Sequence, residues 1–236
     1  INIDSKHGGK SKYFSFGYTT TSGTKSVRRK VSLVQMSDDN ELLWKYGFKY
    51  DSQTIGSDGE YYVINSSDSW GYYNGTNIKI SDTPDFKLKN TLLQYAKAET
   101  LHEIIYPTGG KSTLEYEEND YSSMVFANHL SLKMSSGQSG GLRVKSITNR
   151  NTDGKISNKI FYYYASNKYS YPSAITSSGI SSGNIEFEVV YSVPQKETKL
   201  TLKSQGGYYA PVTNSSTPSV GYSTVIEEIL NAENQS

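Results

Sequence analysis

Apolar and polar residues alternate with a period of two along much of this 236-residue chain. The clearest run covers residues 42–50: Leu42, Trp44, Tyr46, Phe48 and Tyr50 share one face, and Leu43, Lys45, Gly47 and Lys49 share the other. That period is the period of a β-strand with one side on a core. An earlier run, 25–36, carries Val27, Val31, Leu33 and Val34, so the two predict an antiparallel hairpin across Ser37-Asp38-Asp39-Asn40. Residues 12–19 predict a strand before it. Residues 100–119 predict a second hairpin. Ile104, Ile105 and Tyr106 lead into Pro107-Thr108-Gly109-Gly110, where proline presets φ and glycine supplies positive φ. On the return strand Ser112, Leu114 and Tyr116 face one way, and Thr113, Glu115 and Glu117 the other.

The remaining segments extend the pattern. Residues 142–148 and 156–164 predict a hairpin across Asn151-Thr152-Asp153-Gly154, because Asp-Gly between strand-like runs is a strong hairpin signal. Residues 124–134 read as a strand, 135–141 as a flexible Ser/Gly connector, and 186–193 with 198–203 as a third pair. Residues 165–183 and 205–219 read as loops, and 51–90 as loop-rich with a short strand at 61–64. Residues 92–99 are the best helix candidate. Residues 220–230 close the chain as a strand or short helix, whose partner is expected beyond Ser236. The expected fold is mainly β: antiparallel hairpins stacked into an extended sheet or repeat-like meander, with at most one or two short helices. It is read as a single module over 1–236, with a subdivision point near 90.

Composition sharpens this. The aromatic content is mostly Tyr, 21 against 7 Phe and 2 Trp. Tyr suits half-buried strands, with its ring on the sheet and its hydroxyl in water, which argues against disorder. With 24 basic and 23 acidic residues the net charge is +1, so nothing calls for nucleic acid or an acidic membrane surface. Basic blocks are scarce, and the clearest, Arg28-Arg29-Lys30, reads as a solvated face. Without Cys there is no disulfide framework and no thiolate zinc site. No apolar run is long enough to span a membrane. The opening INIDSKHGG has neither Met nor a signal-peptide pattern, and so reads as a mature fragment or an engineered piece of a larger protein.

Chemical motifs are few. Gly137-Gln138-Ser139-Gly140-Gly141 matches a nucleophile elbow, but a strand-like run follows it, and His7, His102 and His129 all precede Ser139. Asn149 to Ile160 echoes a calcium loop but ends on Ile where a bidentate Glu is needed. The three His fit no metal spacing. Glu115, Glu117, Glu118 and Asp120 form an acidic cluster, a pattern commoner on a solvated strand than in a glycosidase. No catalytic residue, metal ligand or cofactor is assigned. The candidate ligand-binding group is Trp70, Tyr72, Tyr73 and Asn74 in the loop WGYYNG, where exposed rings would stack on a sugar or anchor a protein. The competing reading has Trp70 and Tyr72 capping the sheet.

The two central hairpins share a plan of strand, Gly-containing turn and strand ending in aromatics. This resembles RHS/YD-repeat proteins, and the likeness extends to large bacterial RHS-like surface proteins. Four islands carry it, in order: WGYYNG at 70–75, AKAETLHEIIYPTGGKSTLEYE at 96–117, GGLRVKSI at 140–147 and VGYSTVIE at 220–227. Tyr116 is followed by Glu117 and Tyr164 by Ala165 rather than by Asp, and no Asp-Pro occurs, so shell encapsulation and self-cleavage are not carried over. The resemblance implies a non-catalytic structural or interaction module of a secreted or outer-surface protein, with an unidentified protein or glycan partner. A carbohydrate-binding module built on Trp70 is the alternative, and a hydrolase a distant one.

Overall fold

The computed structural model describes residues 5–7, 10–22, 27–38, 41–55, 66, 68, 70–75, 90–125, 131–170, 176–181, 187–189, 202–204 and 220–232. The strands are β1 (Ser5–His7), β2 (Lys10–Ser22), β3 (Val27–Asp38), β4 (Glu41–Tyr50), β5 (Leu101–Ile105), β6 (Lys111–Val125), β7 (Leu132–Arg150), β8 (Ile156–Tyr163), β9 (Gly179–Ser181), β10 (Phe187–Val189), β11 (Leu202–Ser204), β12 (Val220–Tyr222) and β13 (Ile226–Asn231). Eleven of these described strands form one sheet. Its path β1-β2-β3-β4-β5-β6-β7-β8-β13 follows chain order until the last step, and every neighbour on that path is antiparallel. The short β9 runs parallel to the end of β6, and β12 pairs with β9. β10 and β11 form a separate pair, Phe187 opposite Ser204. The architecture is therefore a mainly antiparallel meander, and consecutive hairpins are its unit.

The hairpins expected at 100–119 and 142–164 form with registers set by their turns. Tyr106 N–H donates to Gly110 O and Gly109 N–H to Tyr106 O, both at 2.9 Å. In the second turn Asn151 N–H donates to Lys155 O (2.9 Å) and Gly154 N–H to Asn151 O (3.0 Å). Gly109 and Gly154 sit at φ 85° and 83°. This is one geometry used twice: a type I turn closed by a left-handed residue, which glycine occupies without strain. The pairing Lys111↔Arg150 brings the two turns to the same end of the sheet.

Among the described residues the sheet shows no large oily core. Among the described residues the buried apolar side chains are Ala98, Tyr121, Ala165 and Val220. Rings instead cover one another edge-on within the sheet. Phe14 meets Trp44 at 6.0 Å, Trp44 meets Tyr46 at 5.5 Å, and Tyr46 meets Tyr106 at 6.0 Å, all T-shaped. The aromatic face expected on residues 42–50 thus finds part of its cover in β2 and in the 106–110 turn. Leu42 and Leu43 stay exposed at the strand's start.

Four expectations are corrected. Residues 124–134 are not one strand; they hold the end of β6 and the start of β7, which pair with each other through Met124↔Lys133. Residues 135–141 are not a connector but the middle of β7, with Gly137 opposite Tyr121 and Ser139 opposite Asn119. The glycines there serve close approach, since a Cβ at Gly137 would lie 2.7 Å from Tyr121 Oη. The closing segment is two strands, and the partner of β13 is β8, with Ile226 opposite Tyr163, not a strand beyond Ser236. The predicted helix shortens to α1 (Leu93–Ala96), and Glu99, at φ 59°, lies outside helical geometry. The 61–64 strand, the 205–219 loop and His129 lie outside the described residues. Among the described residues no helix is long and apolar enough to cross a membrane.

Candidate functional site

The segment between β4 and β5 leaves and rejoins the sheet at one point. Asp51 N–H donates to Thr100 O (2.8 Å) and Glu99 N–H to Gln53 O (3.1 Å). Glu99 adopts φ 59°, unusual for a residue with a Cβ. Its carboxylate receives Arg28 Nη2 at 2.8 Å and Lys30 Nζ at 3.8 Å, and Arg28 also donates to Ile55 O (3.1 Å). Two of the three cations in the basic block are therefore spent on this neck rather than on water.

Within the segment, Asp68 organises the loop that carries the candidate aromatics. It is 3% exposed. Its Oδ1 accepts from the backbone N–H groups of Trp70 (2.9 Å) and Tyr72 (2.8 Å), and its Oδ2 accepts from Thr91 Oγ1 (2.8 Å). Asp68 N–H donates to Tyr72 O (2.7 Å) and Asn74 N–H to Ser66 O (3.0 Å). An Asp side chain that bonds the backbone two residues on is the mechanism of an Asx turn. Burial pushes the Asp68 carboxyl up, and the hydrogen bonds it accepts act against that.

The loop is seated on β7. A Cβ at Gly140 would lie 2.5 Å from Trp70 Cβ and 2.9 Å from Tyr72 Cδ2, and one at Gly141 would lie 2.9 Å from Tyr72 Cζ. Only glycine admits the rings this close. The four candidate residues therefore differ in placement. Tyr72 is 44% exposed, and Trp70 is half-buried against Gly140. Tyr73 is half-buried and meets the ring of Tyr95 at 5.8 Å. Asn74 has no accessible surface and donates from Nδ2 to Asn90 O at 3.2 Å.

Among the described residues the densest polar constellation lies elsewhere, around Arg143 on β7. This residue is 7% exposed. Its Nε donates to Glu117 Oε1 (2.7 Å), its Nη1 to Asp120 Oδ1 (2.6 Å) and its Nη2 to Asp120 Oδ2 (3.0 Å). Nη1 also reaches Tyr222 Oη (2.8 Å), and the guanidinium carbon lies 4.3 Å from the ring centre of Tyr164 and 5.0 Å from that of Tyr222. Ser177 Oγ donates to Asp120 Oδ1 (2.6 Å), and Tyr222 Oη donates to Asn119 Oδ1 (3.0 Å). Burial alone would disfavour the guanidinium charge; the Asp120 hydrogen bonds, with Tyr222 and Glu117 nearby, outweigh it and move the pKa upward. The arrangement is a clamp. It fastens the returning segments at 164, 177 and 222 onto β6 and β7, and its charges face one another. In the sequence Glu117 and Asp120 belong to the acidic cluster and Arg143 to GGLRVKSI, and nothing in their spacing joins them.

The other motifs resolve into local structure. Ser139 of the elbow-like motif is fully buried inside β7, with strand on both sides. The calcium-like stretch is the second turn, where Asp153 Oδ1 accepts Lys155 N–H at 3.0 Å. The acidic cluster is engaged across strands: Glu117 and Asp120 hold Arg143, Glu118 accepts from Gln138 Nε2 (3.0 Å), and Glu115 accepts from Ser146 Oγ (2.6 Å). His102 is exposed on β5. Among the described residues no three His, Asp or Glu side chains converge as metal ligands. Comparison with known proteins finds no matching family model, no similar curated protein and no similar solved structure.

These carboxylates give a pH prediction with opposite signs. The Glu103 carboxyl is held below its ordinary value of 4.5 chiefly by Lys49, 2.7 Å away, and that of Glu115 by Ser146. A depressed pKa contributes stability above the unfolded value, and this is lost as pH falls through the folded value. Asp68 is raised, so its contribution is greatest in acid and is lost as pH climbs from 3.8 through the folded value. Urea midpoints measured between neutral and acid pH should fall less steeply on the acid side for Glu103→Gln than for the wild type, and more steeply for Asp68→Asn. Parallel curves for all three proteins would contradict this assignment.

Proposed function

We propose that this chain is a non-catalytic structural and interaction module of a large secreted or outer-surface protein of the RHS/YD-repeat kind. The observation that carries the reading is the meander itself. Hairpin follows hairpin in chain order, with two turns of identical geometry side by side. Such a unit is stabilised by stacking against its neighbours rather than by an enclosed core. Among the described residues β1 and β13 each pair on one side only, so the sheet can continue into adjoining units. The near-neutral charge gives no electrostatic footprint for nucleic acid. A glycan partner is the second reading, favoured by the 44% exposure of Tyr72 beside Trp70.

The test is location. Intact cells of the source organism are treated with a protease that cannot enter them, and the released peptides are identified. Peptides from this chain among the released material, or intact chain in the medium, are the expected result. Detection in the cytoplasmic fraction alone would overturn the proposal.

A further inference from the structure

The two equivalent turns enclose an open cleft of about 680 Å³ between residues 106–112 and 149–153. Its floor is polar and continuous. Tyr106 Oη lies 2.9 Å from Ser112 Oγ, Ser112 Oγ donates to Asn149 Oδ1, and Asn149 Nδ2 donates to Asn158 Oδ1 at 2.6 Å. Since Ser112 gives its proton to Asn149, Tyr106 is the donor to Ser112, and the bonds run one way across β6, β7 and β8. The register continues the row, with Asn158 opposite Asn231 on β13. Adjacent strands are about 4.8 Å apart, so polar groups recur at that interval across the sheet.

This row does not close on itself. An Asn amide offers two N–H donors and two acceptor lone pairs, and the chain uses one of each at Asn149. One donor and one acceptor therefore remain for a ligand. Tyr106, 36% exposed at one end of the cleft, offers a ring beside the polar floor. The charged side chains around the cleft are each engaged within the chain. Lys111 pairs with Glu103 (3.2 Å), Asp153 pairs with Lys155 (3.5 Å), and Arg150 Nη1 donates to Gly154 O (3.1 Å). The floor itself is built from uncharged donors and acceptors: Tyr106, Ser112 and Asn149.

We infer that this cleft binds a neutral oligosaccharide, lying across the strands with one sugar against Tyr106 and its hydroxyls on Asn149 and the neighbouring turn residues. Sugar rings present apolar C–H faces to an aromatic ring and hydroxyls that both donate and accept, which is what the cleft supplies. Successive pyranose units have a spacing close to the strand interval, on the order of 5 Å. The inference rests on no part of the parent-protein reading. It gives the glycan reading a different site from residues 70–75.

The experiment is a titration of the whole chain, labelled with nitrogen-15, with cello-, xylo-, malto- and chito-oligosaccharides. At least one should saturate, with amide shifts concentrated at 106–112 and 149–153. Tyr106→Ala, checked for an unchanged far-ultraviolet spectrum, should weaken that sugar by about tenfold or more, equivalent to about 1.4 kcal/mol. The wild-type footprint needs no variant to fold. No saturation by any sugar at concentrations on the order of 10 mM would overturn the proposal. So would shifts confined to 70–75, or a folded Tyr106→Ala protein that binds as the wild type does. None of these outcomes bears on where the parent protein resides.

Discussion

Arg143→Met is expected to destabilise the protein by about 3–5 kcal/mol, because it leaves Glu117 and Asp120 facing each other with no cation between them. The guanidinium now satisfies two carboxylates and a phenol at the junction of four segments. The Met side chain fills similar space, so the loss isolates charge and hydrogen bonding from simple cavity formation. The urea midpoint measures the total. Hydrogen exchange localises it: amides of β9 and β12 should lose protection before those of β2 and β3, since the clamp holds the former to β6. The triple change Arg143→Met, Glu117→Gln, Asp120→Asn should recover much of the loss, because a buried ionic cluster removed entire is far less damaging than one broken. A single Arg143→Met variant within about 0.5 kcal/mol of the wild type would show that the clamp contributes little.

The sequence made some of these features plain and hid others, for identifiable reasons. Strand identity and hairpin pairing at residues 25–50, 100–119 and 142–164 were legible, because each depends on local periodicity and on turn chemistry within a few residues. Residues 135–141 misled because the same glycines and serines that make a chain flexible also let other groups approach its backbone. Only the positions of Tyr121, Trp70 and Tyr72 tell which use applies. The partner of β13 was invisible because β8 is more than sixty residues upstream, and nothing local encodes that register. The Arg143 clamp combines residues from 117 to 222, so its charge balance emerges only when the meander has folded. The aromatic candidates were found as a cluster in sequence, yet Asn74 belongs to the loop's interior while Tyr72 faces water. Spacing in a loop does not settle direction.

The seat of that loop should fail when Gly140 gains a side chain. In Gly140→Val the new Cβ would stand 2.5 Å from Trp70 Cβ and 2.8 Å from Trp70 Cγ, well inside van der Waals contact. Trp70 cannot simply step aside, since its own N–H and that of Tyr72 are held by Asp68, itself buried and bonded to Thr91. Either the loop lifts or β7 bends, and the ladder between β6 and β7 is by far the longer structure. The loop should therefore yield, at a cost of about 1–3 kcal/mol. The far-ultraviolet spectrum should be retained. In a Trp44→Phe background, where Trp70 is the remaining tryptophan, its emission should shift to the red. Amides of Trp70, Tyr72 and Asn74 should exchange faster, by about tenfold for each 1.4 kcal/mol lost. Gly221→Ala is the control: a Cβ there meets nothing within 4 Å, so the same probes should not move. If Gly140→Val left emission and exchange at 70–75 unchanged, the rings would not be resting on β7, and Trp70 would again be available as a surface for ligand.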